Sequence, residues 1–143
     1  MENTFANIGG HKLSIGKKYS TSEVRTGDVW IDGKPIYRKV IEFTSTTFSK
    51  LTVNAQIIDN TFSTTDKTVR KWWGFIEGTP LPFSYVTNTT ISGNTILYPS
   101  QALWVDFTGS GVRLLANFLN DTYAANFSNK SGFVVIEYTK TTD

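Results

Sequence analysis

The stretch YSTSEVRTGDVWIDGKPIYRKVIEF, Tyr19 to Phe43, is the most strongly patterned part of the chain. Asp32-Gly33 is a hairpin signal, because both residues tolerate the positive φ that tight turns demand. If Ile31 pairs with Ile36 around a DGKP loop, Trp30 faces Tyr37 and Asp28 faces Lys39. If Asp-Gly alone makes the turn, Trp30 meets Pro35 and Asp28 meets Tyr37. The two registers differ by two residues and so predict the same faces. Trp30 then shares one with Tyr37, Lys39, Ile41 and Phe43, and Val29 and Ile31 share the other with Ile36, Arg38, Val40 and Glu42. Pro35 cannot donate a ladder hydrogen bond, which places it at an edge or a bulge. Apolar groups fall on both faces, so one is expected on the core and the other against a neighbouring segment or subunit. Trp30, Asp32, Gly33, Pro35 and Tyr37 thus define a structural hairpin, a platform that needs no catalytic explanation.

The same grammar runs through the rest of the chain. Short runs rich in Val, Ile, Phe, Tyr, Trp and Thr suit a pleated, half-buried surface. DG at Asp32-Gly33, SGN at Ser92–Asn94, TGSG at Thr108–Gly111 and NKSG at Asn129–Gly132 punctuate them. This spacing predicts an all-β, antiparallel β-sandwich of jelly-roll-like character with little or no helix, any helix being a single turn. Strands are expected near Asp28–Ile31, Ile36–Thr44, Leu51–Ile58, Val69–Glu77, Phe83–Val86, Thr95–Leu97, Ala102–Phe107, Val112–Leu119 and Phe133–Tyr138. A length of 143 residues suits one domain over 19–143, with residues 1–18 as an N-terminal arm or attachment segment.

Composition narrows the function classes. There is no cysteine, which removes disulfides, thiol nucleophiles and iron–sulfur clusters. A formal net charge of +2 gives no basis for a nucleic-acid partner. No apolar run approaches the roughly 20 residues that cross a bilayer, so no membrane insertion is expected. MENTFANIGGHKL lacks the apolar core of a signal peptide, so the expectation is synthesis in the cytoplasm without secretion by that route.

The opening stretch also carries a resemblance. YST-x-E-x-x-x-G-x-x-W-I-D-G-K-P-I-Y-R-K-V, Tyr19 to Val40, resembles a segment of tail-fibre, baseplate and other structural proteins of tailed phages and prophages. IEYTKTTD, Ile136 to Asp143, resembles the C-terminal tail found with it, and together the two cover roughly a fifth of the chain. The resemblance implies a module on the virion surface, commonly a β-sandwich and commonly a homotrimer, with other virion proteins as partners. It brings no catalytic residues. The motif begins only nineteen residues into the chain, which fits a compact virion protein or an excised fibre tip.

Candidate chemistry is sparse. His11 is the only histidine, so neither a histidine-based metal site nor a histidine pair can form. A serine triad would have to use His11, and no G-x-S-x-G elbow accompanies it. Among the twelve carboxylates, Asp28, Asp32, Asp106 and Glu137 are the ones to weigh as a glycan-cleaving pair. No spacing here predicts two converging acids, and solvated strand-edge charges account for them. TGSGVR, Thr108–Arg113, lacks the lysine and spacing of a phosphate-binding loop. The expectation is therefore no catalytic residues, no cofactor and no metal.

VRKWWGFIE, Val69–Glu77, is more suggestive. On a strand Trp72 and Trp73 point to opposite faces, Arg70 lying with Trp72 and Ile76, and Lys71 with Trp73 and Phe75. If one tryptophan fills the core, the other can stack on a sugar ring or enter a subunit interface. Trp104, in ALWVDF, raises the same pair of alternatives. Trp72, Trp73 and Trp104 are thus the candidate ligand-binding residues, with host cell-surface polysaccharide as the ligand. Asn88, Asn120, Asn126 and Asn129 open glycosylation-type triplets that chance explains in an Asn- and Thr-rich chain. The functional expectation is a non-enzymatic virion surface protein, a tail-fibre tip, receptor-binding or head-fibre module that attaches the particle to bacteria. The alternatives are a purely structural virion component (a capsid decoration or baseplate adaptor) and, more remotely, a glycan depolymerase.

Overall fold

The computed structural model describes residues 5–8, 11–14 and 19–143. Its strands are β1 (Phe5–Ile8), β2 (His11–Ser14), β3 (Val24–Val29), β4 (Pro35–Thr44), β5 (Asn54–Asp59), β6 (Lys67–Ile76), β7 (Thr79–Leu81), β8 (Phe83–Ile91), β9 (Asn94–Thr108), β10 (Gly111–Phe118) and β11 (Ser131–Lys140); one helix, α1 (Asp121–Phe127), precedes β11. Every pairing is antiparallel. β5-β10-β9-β8 form a four-stranded sheet and β3-β4-β11-β6-β7 a five-stranded one, while β1 and β2 pair with each other. The two larger sheets pack face to face as the expected all-β sandwich.

Alternation decides what lies between them. Ile41 of β4, Ile76 of β6 and Val134, Ile136 and Tyr138 of β11 meet Leu103 and Val105 of β9 and Val112, Leu114, Ala116 and Phe118 of β10. Each inward residue is followed by one that faces outward, as the period of two requires. Aromatic side chains from the connections fill the margins of this layer. Phe48, between β4 and β5, packs on Phe118 at 5.6 Å, and Phe62, between β5 and β6, meets Tyr138 edge-on at 5.0 Å.

Several elements differ from expectation. Thr95–Leu97 and Ala102–Phe107 belong to one strand, β9, in which Ser100 is the extra residue of a bulge against β8 and its hydroxyl donates to the Tyr85 carbonyl at 3.1 Å. β3 covers Val24–Val29, displaced toward the N-terminus from Asp28–Ile31. α1 has seven residues, two turns where one was expected, and it is started by Asn120, whose side chain accepts from the Tyr123 N–H at 2.9 Å. The triplet at Asn120 is therefore a helix cap. The arm expected over 1–18 contains the β1–β2 hairpin, with Phe5 opposite Ser14 and Ile8 opposite His11.

The β3–β4 hairpin corrects both expected registers. The Trp30 N–H donates to the Lys34 carbonyl at 2.9 Å and the Gly33 N–H to the Trp30 carbonyl at 2.8 Å. The loop thus has three residues, Ile31 to Gly33, with Gly33 at φ +84° and Asp32 on the ordinary side of the map. Val29 pairs with Pro35, a slip of one residue from the two-residue turn, and a slip of one exchanges faces along β3. Trp30 consequently does not pair with Tyr37. Its ring lies 4.8 Å from the Arg70 guanidinium on β6, whereas Tyr37 stacks on Tyr138. Pro35 opens β4 beyond the last β4–β11 pair, Tyr37 with Tyr138, where no ladder donor is needed. Replacing Gly33 by valine forces a β-branched residue into left-handed backbone and should cost about 1–2 kcal/mol. Thermal unfolding of the variant measures this, and an unchanged midpoint would refute the loop geometry.

Candidate functional site

The outward side of the five-stranded sheet is built from three neighbouring strands. Register places Glu42 of β4, Phe133 of β11 and Phe75 of β6 in one row. The next row is Val40, Val135 and Trp73, and the next Arg38, Glu137 and Lys71. Two rows of this face are thus largely apolar, although a sheet face turned away from a core is usually polar. They line a depression of about 1040 Å³ with Tyr19, Phe43, Thr44, Glu77 and Ser131 at its margins. Val135 forms a buried floor at 2% exposure, whereas Phe75 and Phe133 are each 37% exposed and their rings lie 5.6 Å apart. Glycine makes the close approach of these strands possible. A Cβ on Gly74 would stand 2.3 Å from the Phe133 carbonyl oxygen.

The polar row closes one side. Arg38 is 3% exposed and donates to Glu137 Oε2 from Nε at 3.2 Å and from Nη2 at 2.8 Å. The Tyr19 ring covers the guanidinium at 4.8 Å. Further along, Thr139 is buried and accepts from Arg70 Nε at 3.1 Å, with the Trp30 ring over Arg70 and Asp32 3.7 Å away. The hairpin that was expected to be a platform therefore folds its tip against the outer face and leaves the two apolar rows open.

A second, smaller hollow of about 480 Å³ is lined by Glu23, Lys39, Thr61, Phe62, Lys67 and Tyr138 with Thr21 and Ser22. Burial of Glu23 opposes its charge, yet hydrogen bonds from Lys140 and Tyr138 win and hold its carboxyl below the usual range. Burial, reinforced by that carboxylate, pushes the Tyr138 phenol far upward. Asp59 is likewise held low against the effect of burial, by hydrogen bonds from Thr61 and by Lys39 at 3.0 Å. These groups satisfy one another, which suits a structural network tying the strand ends together.

The three tryptophans singled out from sequence go to three different places. Trp72 packs against the core, edge-on to Phe107 at 6.2 Å. Trp73 lines the aromatic depression, with Lys71 Nζ 4.9 Å from its ring. Trp104 lies on β9 opposite Leu115, on the outward side of the other sheet. The expectation that Trp72 and Trp73 point to opposite faces holds, but Trp73 and Trp104 cannot serve one site. Phe75 was placed beside Trp73 by alternation, whereas Tyr19, Val40 and Phe133 were missed as site residues. Only the β6–β11 and β4–β11 pairings bring them there.

The four carboxylates weighed from sequence, Asp28, Asp32, Asp106 and Glu137, do not converge on one site. Asp106 is bound to Arg113 on the outward side of the four-stranded sheet, and Glu137 to Arg38 on that of the five-stranded sheet. Asp28 and Asp32 belong to the hairpin, where Asp32 Oδ1 accepts from the Lys34 N–H at 3.0 Å. Among the described residues no group of His, Cys, Asp and Glu is arranged to hold a metal ion, and no helix is long and apolar enough to cross a membrane. No family model, curated protein or solved structure matches the chain.

Proposed function

We propose that this chain is a non-enzymatic attachment module of a tailed-phage virion surface, of tail-fibre tip, receptor-binding or head-fibre type, that holds bacterial surface carbohydrate in the depression on its five-stranded sheet. The observation that carries the reading is the conjunction of Trp73, Phe75 and Phe133 around a buried Val135 floor, with Thr44, Ser131, Glu42 and Glu77 at the rim. Concave apolar surface with a few polar groups at its edge is what small-ligand sites share. Aromatic rings offer the flat apolar faces on which the C–H side of a sugar rests, and hydroxyl and carboxylate groups receive its O–H donors. The YST…WIDGKPIYRKV and IEYTKTTD resemblances supply the virion context. Weak single-site affinity is no obstacle, because a homotrimer displayed in many copies multiplies it by avidity. Sedimentation showing a stable monomer at micromolar concentration would remove the trimer from this reading.

The outward side of the other sheet supports a second role alongside the first. Trp104 and Leu115 pair there, and Ile57 is 61% exposed opposite Arg113. That surface suits contact with a virion neighbour, as a purely structural component would require. The two readings separate by mutation. Trp73→Ala should abolish binding of the purified protein to bacterial cells or wall polysaccharide, and Trp104→Ala should leave it intact. Binding lost with Trp104 and retained without Trp73 would reject the assignment of the site.

A further inference from the structure

The depression is acidic although the chain as a whole carries a formal net charge of +2. Glu42 and Glu77 both line it, both are exposed, and among the described residues no lysine, arginine or histidine is in its lining. Among the described residues neither carboxylate has an ion-pair partner. Glu137, one row away, is paired with Arg38. The aromatic rings point the same way, since their faces attract ammonium groups. Trp73 already accepts one: Lys71 Nζ lies 4.9 Å from its ring centroid.

We infer that the depression selects saccharides that carry free amino groups, of the de-N-acetylated glucosamine type, over N-acetylated and anionic ones; this refines the carbohydrate-binding reading and rests on it. The apolar face of such a ring can lie against Trp73 or the Phe75–Phe133 pair while its ammonium reaches Glu42 or Glu77. β4 and β6 are two strand spacings apart, about 10 Å, so Glu42 and Phe75 bracket a span that takes neighbouring sugar rings. An anionic glycan would instead meet the Glu42 and Glu77 carboxylates, with Lys71 on the Trp73 ring as the nearby cation among the described residues, so discrimination is by net repulsion. Both carboxylates are exposed, so the preference should weaken as salt screens it.

The test is isothermal titration of the full chain with a glucosamine tetrasaccharide and with its fully N-acetylated counterpart, at low and raised ionic strength. The amino form is expected to bind roughly tenfold more tightly. Glu42→Gln combined with Glu77→Gln should bring the two oligomers to within about twofold of each other. Lys71→Met, which vacates the Trp73 ring, should strengthen binding of the amino form. Equal affinity for the two oligomers, a preference that survives the double substitution, or no binding of either would overturn the inference. The underlying reading fails by a different result, attachment to bacterial cells that Trp73→Ala leaves unchanged. N-acetylated oligomer bound more tightly, and lost with Trp73, would sink the amine selectivity and keep the carbohydrate site.

Discussion

Arg38→Met should lower the stability of the fold by about 3 kcal/mol, the lower part of the range for breaking a buried ion pair. Methionine restores most of the buried volume, so the loss is that of the charge and its hydrogen bonds. It leaves the Glu137 carboxylate, whose side chain is 16% exposed, without the two donors that now face it at 2.8 and 3.2 Å. That exposure admits some water and sets the figure at the low end. Lys71 of β6 stands opposite Glu137 and can turn toward it, but it is exposed and engaged on Trp73, so its compensation is partial. Adding Glu137→Leu to the same chain should return most of the lost stability, because an apolar pair in this position needs no partner. Urea titration of the single and double variants measures both effects. A single variant within about 0.5 kcal/mol of the wild type would show that the pair is not what ties this row of β4 to β11.

Gly74→Ala should cost a comparable amount, about 3 kcal/mol, the upper end for forced overpacking. The added methyl meets the Phe133 carbonyl oxygen at 2.3 Å and the Val134 Cα at 3.1 Å, both backbone atoms. β11 cannot retreat, because β4 holds its other edge through eight successive pairs. The variant must therefore spread β6 from β11, which pulls Phe75 away from Phe133 and flattens the depression. Carbohydrate binding should fall with stability. Gly109→Ala provides the contrast: its methyl meets only the Thr65 Cγ2 at 3.3 Å, a side chain that can move. That variant should unfold within about 0.5 kcal/mol of the wild type. Equal stability of the two variants would mean that the close approach of β6 and β11 is not structurally required.

Much of the site could be read from short-range pattern and much could not. Alternation alone placed Lys71, Trp73 and Phe75 on one face, Arg38, Val40 and Glu42 on one face, and Trp72 opposite Trp73. The structure keeps all of these. Alternation could not say which faces would meet. Phe75 and Phe133 are 58 positions apart in sequence, and Arg38 and Glu137 are 99 apart. Nothing local distinguishes Trp73, which lines the depression, from Trp104, which lies on the other sheet.

The hairpin shows the same division at small scale. DG announced a tight turn, and Gly33 does adopt positive φ. The loop length remained open, because two- and three-residue loops both use glycine there. A single extra residue moved Trp30 from Tyr37 to Arg70. Its final position depends on Thr139 and Arg70, neither of which is near it in the chain.

By itself, then, the amino-acid sequence determined that this chain makes antiparallel sheets with alternating faces, since pleat and turn chemistry act over a few residues. Which faces enclose the core, which pair of strands flanks β11, and where an aromatic surface is left open were decided only by tertiary structure. Those choices are made by long-range strand pairing and by how closely backbones can approach, and neither is encoded in any local run of residues.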